Sequence, residues 1–329
     1  MPNSKKRLSL LAVAALGALL LLPASGQAAQ VFGSDLLEEP NQPDCFELLS
    51  CTVVANVENP AEGQLTSAGS PIDGVITGFR VRAAVDAPTQ VTLRVASVTP
   101  EGQPAISATA TITATGTPVT LQPTSAAEEP AFRVQAFPAR VAVRKGQHLA
   151  LDWIASPGAG LVVTHDASGD KFSYGFSPPL SDGMARQSTE ALGQLLVQAT
   201  VEPDLDGDGF GDETQDRCPS QRTTAGACDV TPPVVTKLKV AHGKATYTLS
   251  EAATVNLQLL KKSRKGKFRK LGKAFAGPGN AGPNRVKLPK AAGRGGIYRL
   301  QMTAVDVAGN QASRAKAFRV RTRSGIIIG

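Results

Sequence analysis

Apolar and polar residues alternate along most of this chain in short runs. Val75, Thr77, Phe79 and Val81 take turns with Ile76, Gly78, Arg80 and Arg82, and Val91, Leu93 and Val95 with Thr92 and Arg94. A period of two is the pattern of a strand with one face buried. Further strands are predicted at 106–114, 132–136, 141–143, 149–153, 160–164 and 195–201, separated by Gly, Pro, Ser and Asp clusters. From 231 onward the rhythm returns in seven short strands near 234–240, 244–249, 254–261, 267–275, 285–288, 297–305 and 312–320. Aromatic residues make up 5% of the 329 positions, and Gly (32) and Pro (23) are abundant, a composition that suits small all-β units better than helical ones. The number and spacing of strands predict an all-β chain with a two-sheet sandwich, jelly-roll-like, over 31–201 and a second sandwich over 231–321.

The N-terminus departs from this rhythm. Lys5, Lys6 and Arg7 precede an apolar run at 8–22, then Pro23 and the small-residue stretch 24–29. Such an arrangement predicts a secretory signal peptide over 1–28, cleaved after Ala28 with Gly26 at the minus-three position. The run is shorter than the roughly 20 residues that span a bilayer, so no transmembrane anchor is expected. No cysteine lies at the junction for lipid attachment, and Leu288-Pro-Lys-Ala lacks the threonine, tail and terminal position of a sortase signal. The expected location is secreted or cell surface, with any retention non-covalent.

Between the two sandwiches lies Asp204-Leu-Asp-Gly-Asp-Gly-Phe-Gly-Asp-Glu-Thr-Gln-Asp-Arg-Cys-Pro219, with carboxylates at relative positions 1, 3, 5, 9 and 13. Alternate side chains of a coiled loop can converge on one point, and a hard divalent cation takes 6 to 8 oxygen ligands at short range. The predicted ligands for Ca2+ are Asp204, Asp206, Asp208, the backbone carbonyl of Phe210, Asp212 and Asp216. An EF-hand would place a bidentate Glu at position 12, where this chain has Gln215, and no periodic helix flanks the loop. The Asp-x-Asp-x-Asp-Gly-x-x-Asp run followed by Asp216-Arg-Cys218-Pro219 instead resembles a thrombospondin type 3 repeat, over about 16 residues. The family unit sets its last Asp three residues after the one before, whereas Asp216 follows Asp212 by four, which leaves direct ligation by Asp216 open and ranks it below Asp208. A solvated acidic linker is the alternative for 202–230.

Four cysteines in an exported chain predict two disulfides, and proximity in sequence suggests Cys45 with Cys51 and Cys218 with Cys228. Loops this small contribute roughly 2 to 3 kcal/mol each in the chain-entropy model, so both pairs read as local clips. Neither spacing is Cys-x-x-Cys and no histidine is near, which argues against a metal or redox pair.

The segment Tyr298-Arg-Leu-Gln-Met-Thr-Ala-Val-Asp-Val-Ala-Gly-Asn310, after the opening Thr231-Pro-Pro, resembles the penultimate strand and hairpin of bacterial Ig-like extracellular repeats. The resemblance implies an Ig-like domain at 231–321, with a tail at 322–329. The order of signal peptide, sandwich, type 3-like loop and Ig-like domain is similar to surface or secreted proteins of actinobacteria.

Charge divides the mature chain. Residues 30–230 hold 11 Lys and Arg against 25 Asp and Glu, a net of −14, and residues 231–329 hold 21 against 2, a net of +19. The basic run Lys261, Lys262, Arg264, Lys265, Lys267, Arg269 and Lys270 is predicted to lie on a hairpin centred on Lys265 and Gly266. Export argues against specific nucleic acid as its partner, and an anionic cell-wall polymer or polysaccharide fits the charge; a solubilising tip is the competing reading. Enzyme signatures are missing from the sequence: Gly277-Pro-Gly279-Asn-Ala-Gly282 precedes Pro283 and a strand where a nucleotide-binding helix would begin. His165 with Asp166 and Asp170 reads as a polar turn, and Trp153 as core. The expected function is a non-catalytic, calcium-binding, adhesive or binding protein. A carbohydrate-binding module is the alternative, and a secreted hydrolase a more remote one.

Overall fold

The computed structural model describes residues 28–41, 50–57, 69–101, 107–123, 133–154, 161–165, 171–290, 295–321 and 327–328. Among these there is no α-helix, and the chain is all-β. The expected signal peptide, Cys45, Asp166 and Asp170 lie outside the described residues.

Two sheets enclose the first apolar core. One carries Gln30–Gly33, Val197–Glu202, Gly74–Val85 and Arg133–Val143 in that order, with Leu161–Val162 paired to the end of Gly74–Val85. The other runs Ala185–Gln187, Ser107–Thr115, Thr89–Glu101, His148–Ile154, Ser50–Val57, Lys171–Phe176 and Glu190–Leu192, with Val119–Leu121 added beside Thr89–Glu101. Strand neighbours are antiparallel throughout. Phe79, Val81, Val91, Leu93 and Val95 are buried as the alternation predicts, and Trp153 is a core residue at 3% exposure; Ile76, expected on the opposite face from Phe79, joins the same core instead, because the register shifts between Ile76 and Gly78. Burial of each such large side chain contributes about 1.5–3 kcal/mol.

Several strands were not visible as alternation. Ser50–Val57 is central in the larger sheet, and both of its faces are covered. Val53 points into the inter-sheet core and Val54 into a second cluster with Tyr174, Phe176 and Leu180 on the opposite face. A strand buried on both sides loses its polar positions and with them its period-two signature. The segments predicted at 132–136 and 141–143 form one strand, Arg133–Val143, whose register shifts opposite Ile76 and Gly78.

Residues 235–320 build a second apolar core between two further sheets. The three-stranded sheet is Val235–Ala241, Lys244–Leu249 and Gly282–Lys287. The six-stranded one runs Phe268–Lys270, Thr254–Lys262, Gly296–Val305, Gln311–Val320 and Ile327–Ile328, with Phe275–Gly277 also paired to Thr254–Lys262. Tyr247, Leu257, Leu259, Tyr298, Leu300 and Met302 meet between them. The strand predicted at 267–275 is thus two short strands, both against Thr254–Lys262. The 306–310 turn forms as expected: the Asn310 amide donates to Asp306 Oδ1 at 2.8 Å, and Gly309 takes a φ of +88°, where a side chain would be strained.

Candidate metal centre

The acidic loop leaves the Val197–Glu202 strand and is wound by its own side chains. Asp204 Oδ1 accepts the amides of Gly207 (2.8 Å) and Asp208 (3.1 Å), and its Oδ2 accepts that of Gly209 (3.0 Å). Asp206 Oδ1 accepts the Asp208 amide at 3.1 Å, and Asp208 Oδ1 the Phe210 amide at 2.9 Å. Gly207 and Gly209 supply the positive φ angles, +72° and +86°, that let alternate residues turn inward. As a result Asp204, Asp206 and Asp208 each bring a carboxylate oxygen within 4.8 Å of the other two.

Asp212 and Asp216 lie outside that group of three but act on it through their charge. Burial raises the pKa of Asp206 above the ordinary aspartate value, and the charges of Asp208, Asp216 and Asp204 raise it further. Asp212 is raised in the same way, by burial and then by Asp204, Asp206 and Asp216, with hydrogen bonds from the Leu205 amide opposing. Five like charges therefore act on one another across a single loop.

Asp216 resolves the spacing irregularity. The amides of Gln215 and Asp216 both donate to the Gly211 carbonyl, at 3.0 and 2.9 Å, so the turn widens to absorb the extra residue. Gln215 is rotated away and donates from Nε2 to the Ala139 carbonyl at 2.7 Å. Asp216 is 5% exposed, and its Oδ1 accepts the Cys218 amide at 2.7 Å. Its Oδ2, like Asp206 Oδ2, is buried with no hydrogen-bond partner. A buried carboxylate oxygen without a donor costs free energy that a cation offsets directly. The donor set is all oxygen, which suits a hard ion such as Ca2+ rather than a thiophilic one.

Both ends of the loop are anchored. Phe210 slides its ring under the Arg140 guanidinium, 4.4 Å from the ring centre. Glu202, 1% exposed, accepts the amides of Glu213 and Thr214 at 2.9 Å each and the hydroxyls of Thr214 (2.7 Å) and Thr77 (2.9 Å). Burial alone would raise the Glu202 pKa, but these donors bring it below the ordinary glutamate value. Sequence reasoning missed Glu202 because an acid ending a strand carries no sign of what folds back on it. Beyond Asp216, the Cys218–Cys228 disulfide closes the next turn. Gln221 then holds Asp229 through both amide atoms, at 2.8 and 2.9 Å, and Asn310 Nδ2 donates to the Asp229 carbonyl at 2.9 Å. Cys51 is also disulfide-bonded.

The basic run forms the predicted hairpin, with Gly266 at φ +83°. The pleat divides its cations. Lys261 and Arg269 are paired on the inner side, where Lys261 Nζ lies 5.4 Å from the Tyr298 ring. Lys262 and Lys270 point outward, on the face where Arg299 stacks at 4.2 Å on Phe268. Arg264, Lys265 and Lys267 are exposed at the tip. His165 ends the short strand Thr164–His165, paired with Gln194, and sits 3.6 Å from Glu38 and 2.6 Å from the Glu39 carbonyl.

No protein-family model matches the chain, and no curated protein matches it. Among solved structures, a calcium binding mutant of Bacteroides uniformis beta-glucuronidase 2 aligns at 13% identity over 90% of this chain and 32% of that one, with a TM-score of 0.11. The chain spans about a third of that enzyme's length, and an overlap this poor carries no argument about fold or activity.

Proposed function

We propose that this chain is an exported, non-catalytic calcium-binding protein in which a type 3 repeat-like loop at 202–230 joins a jelly-roll-like sandwich to an Ig-like one, and that it works in adhesion or binding outside the cell. The observation that carries this reading is the pair of buried, unpartnered oxygens, Asp206 Oδ2 and Asp216 Oδ2, in a loop whose carboxylates Asp204, Asp206 and Asp208 converge and repel one another. Asp204, Asp206, Asp208, Asp212 and Asp216 supply the charge, and the Phe210 carbonyl is the backbone ligand expected of this spacing. The role of the ion is structural: it cancels the repulsion and stiffens the connector between its anchors at Glu202 and Asn310. The basic hairpin is the adhesive element and faces anionic wall polymer through long-range attraction.

Calorimetry with calcium on the full mature chain, paired with limited proteolysis with and without chelator, tests the reading. A dissociation constant of about 10⁻⁴ to 10⁻³ M is expected, the range of extracellular calcium modules, with cleavage within 204–216 appearing on chelation. No heat of binding together with an unchanged cleavage pattern would refute it.

A further inference from the structure

We propose that the outer face of the three-stranded sheet is a binding groove for a linear acidic polysaccharide, separate from the basic hairpin. The groove is a depression of about 360 Å³ with Lys237, Lys239 and Arg285 around it and Thr246, Thr248 and Pro283 along it. Its construction begins with a broken alternation. In a regular strand Val235, Lys237 and Lys239 would share one face. Here Val235 and Val240 are buried, while Lys237 and Lys239 are exposed. The register shifts between Thr236 and Lys239, and Lys237 sits at φ +53°. One extra residue resets the parity, so that both lysines turn outward.

That conformation is costly for a residue with a side chain. Glycine or asparagine at 237 would avoid much of the cost, so the fold alone gives no reason for a lysine there. Strained residues and bulges of this kind gather at binding sites, where they aim a side chain.

Lys239, Thr246 and Arg285 lie in one cross-strand row. With strands about 4.8 Å apart, the two cations flank the threonine at roughly 10 Å, a width for one polymer chain. Lys244 and Lys287 pair further along and extend the positive track. No ion pair among the described residues involves these five cations. The two acids of 231–329, Glu251 and Asp306, are gathered beside Asp229 instead, where all three have oxygens within 4.8 Å of one another.

The lining selects among polyanions. Arg285 offers a planar fork to a carboxylate or sulfate, the exposed Thr246 and half-buried Thr248 offer hydroxyls to sugar hydroxyls, and Pro283 a flat apolar surface to a sugar ring. Base stacking is not provided for: the one aromatic residue at the groove, Tyr247, is buried, and its hydroxyl donates to the Pro278 carbonyl. The groove is shallow and open, which suits a chain passing through rather than an enclosed small ligand. The exported reading above bears on the source of such a polymer; the charge geometry stands apart from it.

The test uses the full mature chain, calorimetry and three probes of matched charge: a polygalacturonate oligosaccharide, inorganic polyphosphate and single-stranded DNA. Replacing Lys237, Lys239 and Arg285 with Ser is expected to weaken polygalacturonate binding at least about tenfold, the loss of a charge-assisted contact or more. Arg285→Lys is expected to retain part of it. Lys237→Gly relieves the backbone strain, so it is expected to hold or raise the thermal midpoint while weakening binding, whereas a purely structural Lys237 would move the midpoint alone. If the groove variants bind as the parent does and a Ser substitution of Lys262, Arg264, Lys265 and Lys267 removes binding, the groove is refuted and the hairpin reading survives. Loss in the groove variants alone supports the groove and removes the hairpin reading. Equal affinity for all three probes overturns the assignment to polysaccharide.

Discussion

Glu202 and Thr214 are joined twice: the carboxylate accepts the Thr214 amide at 2.9 Å and its hydroxyl at 2.7 Å. The last residue of the Val197–Glu202 strand thereby holds the far side of the acidic loop against the first core. Thr77, on the neighbouring Gly74–Val85 strand, donates to the same carboxylate, so loop and sheet share one acceptor. Gly211 is pressed into this contact: a Cβ there would lie 2.5 Å from Glu202 Oε2 and from the Thr77 methyl.

Glu202→Ala is therefore expected to free the loop while leaving every calcium-facing carboxylate in the chain. The amides of Glu213 and Thr214 lose their acceptor, and since both residues are exposed the cost is about 1 kcal/mol, that of ordinary lost hydrogen bonds. Proteolysis is expected within 204–216 even when calcium is present, with weaker calcium affinity by calorimetry. A wild-type cleavage pattern would show that the metal alone holds the loop.

Spacing in the sequence ranks Asp208 above Asp216 as a ligand, while in the folded chain Asp216 Oδ2 is buried without a hydrogen-bond partner. Asp216→Asn is expected to weaken calcium binding at least as much as Asp208→Asn, while Glu213→Gln, whose side chain lies outside the converging carboxylates, is expected to change it little. Titration calorimetry on the three variants checks the order.

Asp152 and Arg94 form a buried pair on the outer side of the larger sheet. Arg94 is 6% exposed and also bonds Asp182 and the Leu180 carbonyl, so it ties the 180–182 loop to the sheet. Burial raises the Asp152 pKa, against hydrogen bonds from Thr52 and Arg94 that lower it. Asp152→Ala leaves the guanidinium short of the more buried of its two carboxylates and is expected to cost about 3 kcal/mol, the lower end for breaking a buried pair, because Asp182 remains. Denaturant unfolding of the full chain measures it. The paired change Arg94→Met with Asp152→Leu is expected to recover most of the loss.

His148 donates from Nδ1 to the Ala55 carbonyl at 2.8 Å, and burial lowers its pKa below 6.5. Neutral imidazole is favoured in the folded chain, so the unfolded chain binds the proton first as pH falls. Stability from this group is present above pH 6.5 and is lost as pH falls through the folded value. The thermal midpoint is expected to drop between neutral pH and about pH 5, and His148→Gln to flatten that slope. An unaltered slope in the variant would assign the drop to other groups.

The sequence by itself determined the all-β class, most strands and the acidic and basic segments, since a face buried on one side writes itself into alternate residues and a ligand spacing into a short loop. The 306–310 turn and the 261–270 hairpin were legible for the same reason, as both depend on neighbours in sequence. Tertiary structure decided the rest. Ser50–Val57 became a central strand because a second cluster covers its other face, which erases alternation. Asp216 rather than Gln215 turned inward because the Gly211 carbonyl accepts two successive amides, a choice of turn that spacing does not encode. Glu202 acquired its role through the fold-back of the acidic loop and a contact from Thr77, distant in sequence, and Lys237 and Lys239 their shared face through a register shift against the next strand. One-dimensional patterns record whether a side chain is buried; which groups meet it, and whether its oxygens find donors, is settled only when the sheets pack.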